Sequence, residues 1–133
     1  MRFMLDTNTC IELIRYQNKR VLRRMKRRSP DDICVSSVTL SELEYGVAKS
    51  ANPEKNRLAL AEFMTPLAIV PYNDTVAPVY GRLRAELEQA GTPIGPLDTM
   101  IAAHALSLGL TVVTGNEREF RRVAGLKVQN WAK

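Results

Sequence analysis

Leu110-Thr111-Val112-Val113-Thr114 is the stretch on which the fold turns. It is apolar, β-branched and bounded by Gly109 and Gly115, so it reads as a strand. Immediately before it, a helical segment opens at Pro96, a favoured first position, and stops near Gly109. Further back, Val76, Val79, Tyr80, Leu83 and Leu87 recur at three and four from Asp74 onward. That spacing predicts an amphipathic helix, which Gly91 ends. Leu67-Ala68-Ile69-Val70, closed by Pro71, reads as another strand. So does Ile33-Cys34-Val35, which precedes a helix bearing Leu40, Leu43 and Val47. Phe3-Met4-Leu5 is a short buried strand, followed by Cys10, Ile11, Leu13 and Ile14 on one helical face. After the central stretch, Lys127-Val128-Gln129 reads as a last edge strand. Strands and helices alternate throughout, which predicts an α/β fold with a mainly parallel sheet. Pro30-Asp31-Asp32 and Asn52-Pro53 read as turns inside one domain spanning residues 1–133.

Composition narrows the function classes. With 45% apolar and 25% charged residues, the 133-residue chain is of ordinary globular chemistry and not disordered. Nineteen Lys and Arg against fourteen Asp and Glu leave a net charge of +5, which admits an anionic partner. Cys10 and Cys34 lack any zinc-site or disulfide-framework spacing, which fits a reduced cytoplasmic setting. Asp6 interrupts the N-terminus before a secretory signal could develop, and no apolar run approaches the length of a membrane span.

The acids fall where an open parallel sheet puts its ligand sites, beyond the carboxyl ends of strands. Asp6 follows the first strand. Glu42 enters the helix after Cys34-Val35-Ser36. Asp98 opens the helix after Gly95-Pro96, and Asn116 follows Thr114, with Glu119 one turn further on. Each residue also has a plain helix-capping explanation. Thr39-Leu40-Ser41-Glu42 and Asn116-Glu117-Arg118-Glu119 have the capping-box pattern, Asp98 suits a first turn, and Asp6 suits an N-cap. Capping alone does not bring the acids together and calls for no cation. Carboxylates that do meet repel one another and take up protons unless a cation neutralises them. Their donors are all oxygen, which favours Mg²⁺ or Mn²⁺ over zinc. Such an ion lowers the pKa of bound water and stabilises charge on a phosphodiester under attack. A nucleic-acid-binding module whose acids are only caps is the alternative.

Four segments then resemble the successive motifs of the PIN-domain family, and most of all those of the VapC toxins of bacterial toxin–antitoxin pairs. They are Met4-Leu5-Asp6-Thr7-Asn8, Ser37-Val38-Thr39-Leu40-Ser41-Glu42-Leu43-Glu44-Tyr45-Gly46, Gly91-Thr92-Pro93-Ile94-Gly95-Pro96-Leu97-Asp98 and Thr114-Gly115-Asn116-Glu117-Arg118-Glu119-Phe120. The resemblance runs from Phe3 to about Trp131. It implies a PIN-like three-layer fold and a Mg²⁺- or Mn²⁺-dependent endoribonuclease that cuts structured RNA, with tRNA foremost. It further implies a homodimer and a VapB-like antitoxin that blocks the acid groove. A housekeeping RNA-processing nuclease of the same fold is the rival within the family. By position, Asp6 and Asp98 are the principal metal ligands and Glu42 the third acid. Asn116 stands where many relatives carry a fourth acid, which makes Glu119 a reserve. Thr7 and Thr114 match the hydroxyl residues beside the acids.

Between Arg15 and Arg28 the chain carries eight Lys and Arg and no acid, with Val21, Leu22 and Met25 as an apolar edge. Such a strip is either a solvated helix face or a tracker of RNA phosphates, with Arg23, Arg24 and Arg27 the leading contacts. The sole histidine, His104, lies in mid-helix and reads as structural or surface-facing. Trp131, Tyr45, Tyr72 and Tyr80 read as packing residues.

Overall fold

The computed structural model describes residues 1–133. Five strands, β1 (Phe3–Leu5), β2 (Ile33–Ser36), β3 (Ala68–Val70), β4 (Thr111–Val113) and β5 (Lys127–Gln129), form one wholly parallel sheet in the order β3-β2-β1-β4-β5. The first three strands are laid outward from the centre. The chain then crosses back and places β4 on the free side of β1, in register Phe3 with Thr111 and Leu5 with Val113. The order therefore reverses between β1 and β4, where an open sheet leaves a crevice at its carboxyl edge.

Alternation along the short strands feeds two cores. Phe3, Leu5, Ile33, Val35 and Val113 face one side, and Met4, Cys34 and Val112 the other. Helices α1 (Thr7–Ile14), α2 (Lys19–Lys26), α3 (Ser37–Ala48) and α4 (Pro53–Met64) cover the first face through Cys10, Val21, Leu43 and Leu60. Helices α5 (Ala77–Gln89) and α6 (Pro96–Leu108) cover the second through Leu83, Leu87, Ile101 and Ala105, with Phe120 of the one-turn α7 (Glu117–Phe120) beside them. The result is the three-layer arrangement expected. No helix is long and apolar enough to cross a membrane.

Several local expectations change. Asn52-Pro53 is not a turn between elements but the start of α4, with Asn52 capping the Lys55 N–H and Pro53 at the first position. The basic stretch folds as α2, capped by Asn18, with Val21 buried and Leu22 and Met25 against the core. The helix expected from Asp74 begins at Ala77. Gly109 ends α6 in the left-handed conformation (φ 68°) that favours glycine, as its position suggested. His104 is buried, which excludes a surface role. Its Nδ1 lies 2.8 Å from Ser36 Oγ, and the Tyr72 ring stands edge-on to it at 5.4 Å. Burial lowers the His104 pKa, against the opposing pull of a hydrogen bond with the Pro71 backbone.

Candidate active site

Asp6 is the first residue after β1 and the N-cap of α1. Its Oδ1 accepts the Thr9 N–H at 2.9 Å, and its own N–H donates to the Val113 carbonyl at 3.0 Å. The cap reading of Asp6 is therefore correct, and the same geometry fixes the carboxylate in the crevice. Asp6 is only 2% exposed. Burial holds its pKa above the usual carboxylate value, against the opposing pull of the Thr114 hydroxyl and the Thr9 N–H.

The other acids come to the same rim. Asp98 lies in the first turn of α6. Its carboxyl is pushed up to about 6 by burial and then by the negative charges of Asp6, Glu119 and Glu42. Four carboxylates from four parts of the chain thus share one field. Glu42 sits in the second turn of α3, not at its start, and its Oε1 accepts the Thr7 hydroxyl at 2.8 Å. The capping-box reading of Thr39 to Glu42 fails, because Ser36 caps α3 and Thr39 is already inside the helix. Thr39 is instead buried, with its Oγ1 3.5 Å from that of Thr7. Asn116 makes no side-chain cap for α7. Its Nδ2 donates to Glu119 Oε2 at 2.8 Å, and its N–H donates to Thr114 Oγ1 at 2.8 Å. Thr114 is thereby held beside Asp6, and Asn116 binds the reserve acid to the cluster.

A groove of about 500 Å³ runs past Asp98 and Glu42, lined further by Asn8, Arg15, Tyr45 and Lys49. Tyr45 and Lys49 were not expected there, and Tyr45 is two-thirds exposed instead of packed. Their signal was available: Glu42, Tyr45 and Lys49 lie three and four apart on one face of α3. Arg23, Arg24 and Arg27 lie outside this groove, along α2, where they line a separate cleft.

The donor set suits an oxygen-seeking divalent cation, since crowded like charge is what such an ion relieves. No three of the His, Cys, Asp and Glu side chains converge tightly enough to chelate one ion. A divalent cation there would take one or two carboxylates from the protein and complete its shell with water and substrate.

The wholly parallel sheet between two helical layers carries Asp6 at its switch point, where open α/β sheets bind their ligands. The PIN-domain family model matches residues 3–126, and the chain belongs to the PIN-domain family, in the branch of the VapC ribonucleases. It is 44% identical over 131 residues to the tRNA(fMet)-specific endonuclease VapC of Salmonella typhimurium, covering 98% of both chains. To ribonuclease VapC2 of Rickettsia felis it is 40% identical over 139 residues, covering 100% of both. Among solved structures, DNA-bound VapBC from Salmonella typhimurium superposes with a TM-score of 0.94 at 44% identity, covering 98% of each chain. The promoter-bound VapBC2 of Rickettsia felis also gives 0.94, at 38% identity over 98% of this chain and 99% of that one.

Proposed function

We infer that the protein is a divalent-metal-dependent endoribonuclease that cleaves tRNA and acts as the toxin of a type II toxin–antitoxin pair. The chemistry rests on Asp98 at the opening of α6, whose carboxyl is raised by burial and then by the charges of Asp6, Glu119 and Glu42, which supports a shared rim for the four acids. Support for the substrate comes from relatives named as tRNA(fMet)-specific endonucleases, and for the antitoxin from structural neighbours that are VapBC complexes. A homodimer in the reducing cytoplasm completes the reading, consistent with two buried free cysteines.

Asp6 and Asp98 would hold Mg²⁺ or Mn²⁺, with Glu42 as third acid and Asn116 completing the rim. The cation supplies charge neutralisation at the phosphodiester and acidifies water. The chain's own part is positioning. Thr7 fixes one oxygen of Glu42, so its other oxygen stays available. Thr114 steadies Asp6, and Asn116 orients Glu119. With an amide at position 116, Glu119 is the group on that side able to accept a proton.

The test is incubation of tRNA with purified protein, with and without Mg²⁺, followed by mapping of new 5′ ends. Site-specific, Mg²⁺-dependent cuts that vanish in Asp98→Asn are expected. Tight RNA binding without any cut would leave only the binding module. Equal cutting of many precursor RNAs would favour a processing nuclease.

A further inference from the structure

Along α2 the chain builds a cleft that the acid site does not use. Arg20, Arg23, Arg24, Arg27, Arg28 and Lys133 line a volume of about 450 Å³, and no carboxylate or apolar residue joins them. The helix turns Val21 inward and leaves Arg20 and Arg23 exposed, with Arg24 half-buried. Of the six cations only Lys133 has a carboxylate partner, Glu117. The other ion pairs of the molecule use Arg57, Arg82, Arg84 and Arg121.

Cations in a last helical turn gain from the dipole, and surface cations keep a protein soluble. Neither reason requires Arg28 to be fixed in place. Its guanidinium carbon lies 4.5 Å from the centre of the Phe3 ring and 5.7 Å from that of Trp131. Those rings pack edge-on at 5.3 Å, and both are nearly fully buried. The Arg28 Nε is buried without a hydrogen-bond partner. A guanidinium braced on aromatic rings presents its donors with little further loss of freedom, which suits it to phosphate.

A groove of about 240 Å³ with mixed polar and apolar walls shares Asn8 with the acid groove and is also lined by Trp131, on whose ring Arg28 rests. Asn8 and Asn116 of the rim line it together with Val21 and Ala132, which are adjacent in sequence to Arg20 and Lys133 of the cleft. The carboxylates along this route are both engaged: Glu12 Oε2 accepts from Asn18, and Glu117 is paired with Lys133 and Arg121 and accepts from Asn130. Carboxylates repel a polyanion, so affinity for one has to come from a separate cationic surface.

Resting on the ribonuclease reading for its substrate, we propose that the arginines of α2 together with Arg28 form a second phosphate subsite. It grips the backbone of the RNA strand some nucleotides away from the bond that is cut. The grip is sequence-blind and sets affinity, leaving the choice of bond to the rim.

The experiment replaces Arg23, Arg24 and Arg27 with Gln together, since none of the three is buried and none belongs to the Phe3–Arg28–Trp131 stack. Binding of single-stranded RNA is measured at several salt concentrations in an Asp98→Asn background. Each lost contact flattens the log–log salt dependence by about 0.7, so about two units should disappear, with affinity down at least about tenfold. In the otherwise wild-type enzyme, KM for a long RNA should rise by a similar factor while kcat holds. A short oligonucleotide that ends before the cleft should be cut equally by both proteins. An unchanged slope and KM would overturn the proposal, as would a loss confined to duplex DNA or to an acidic peptide. If wild type cuts no RNA yet the slope still falls by two units, the ribonuclease reading fails and the cleft stands as a phosphate site.

Discussion

Asp98 is pulled two ways, since a cation at the rim would call for its charge and its surroundings resist it. Its carboxyl titrates at about 6 in the fold against an ordinary value of 3.8. The folded state therefore holds the proton more tightly than the unfolded chain. That contribution is fully present below about pH 4 and is lost as pH rises through about 6. Asp98→Asn should accordingly gain stability relative to the metal-free wild type as pH rises through those limits and keep the gain above about 6, by about 1 kcal/mol once partial exposure is allowed for. Urea midpoints of both proteins across the range measure the gap, and a gap that does not change with pH refutes it. The comparison cancels His104, whose lowered pKa works in the opposite direction. Asp6 has two duties that a pair of variants separates. Asn retains an oxygen for the Thr9 N–H, so Asp6→Asn should fold normally and fail to cleave. Asp6→Ala should fail to cleave and lose about 1 kcal/mol besides. Equal stability of the two would show that the cap contributes nothing.

Among the elements, the junction of β2 with α3 decides how two site helices meet. Ser36 Oγ accepts the Val38 N–H at 3.1 Å, capping the helix that carries Glu42. The same oxygen meets His104 on the helix that carries Asp98. Ser36→Ala removes both contacts inside a buried pocket and should cost about 1–3 kcal/mol. A denaturation midpoint equal to wild type would show that neither contact matters. This junction was only half legible. Ile33-Cys34-Val35 and the periodicity of Leu40, Leu43 and Val47 located the strand and the helix. Thr39 through Glu42 imitated a cap because a hydroxyl residue three before a glutamate also occurs inside helices. The helix α4 was missed for a related reason. Its Asn52 cap and Pro53 start were visible, but only Leu60 and Met64 are buried, and two buried residues give a weak period.

For the whole molecule, the crowding of carboxylates makes a cation a stabilising ligand. An ion bound only by the folded chain raises its melting temperature by mass action. Mn²⁺ should therefore shift the wild-type transition upward, with a much smaller shift in Asp6→Asn. Equal shifts in the two proteins would place the ion away from the rim. Strand order matters at this scale. Because β4 crosses back to lie beside β1, Asp6 and Thr114 become neighbours although more than a hundred residues separate them along the chain.

The sequence by itself determined the alternation of strands and helices, the acids at strand ends and the family motifs. These are local properties, written in periodicity, in glycine and proline positions and in short ordered patterns. Only the tertiary structure decided that Asp6, Glu42, Asp98 and Glu119 share one field, that Thr7 holds Glu42, and that Tyr45 and Lys49 line the groove. It alone showed Arg28 braced on Phe3 and Trp131, from opposite ends of the chain. Such pairings depend on strand order and on which helix face meets which layer. Both are set by the mutual burial of distant apolar surfaces, and no local pattern in the chain records them.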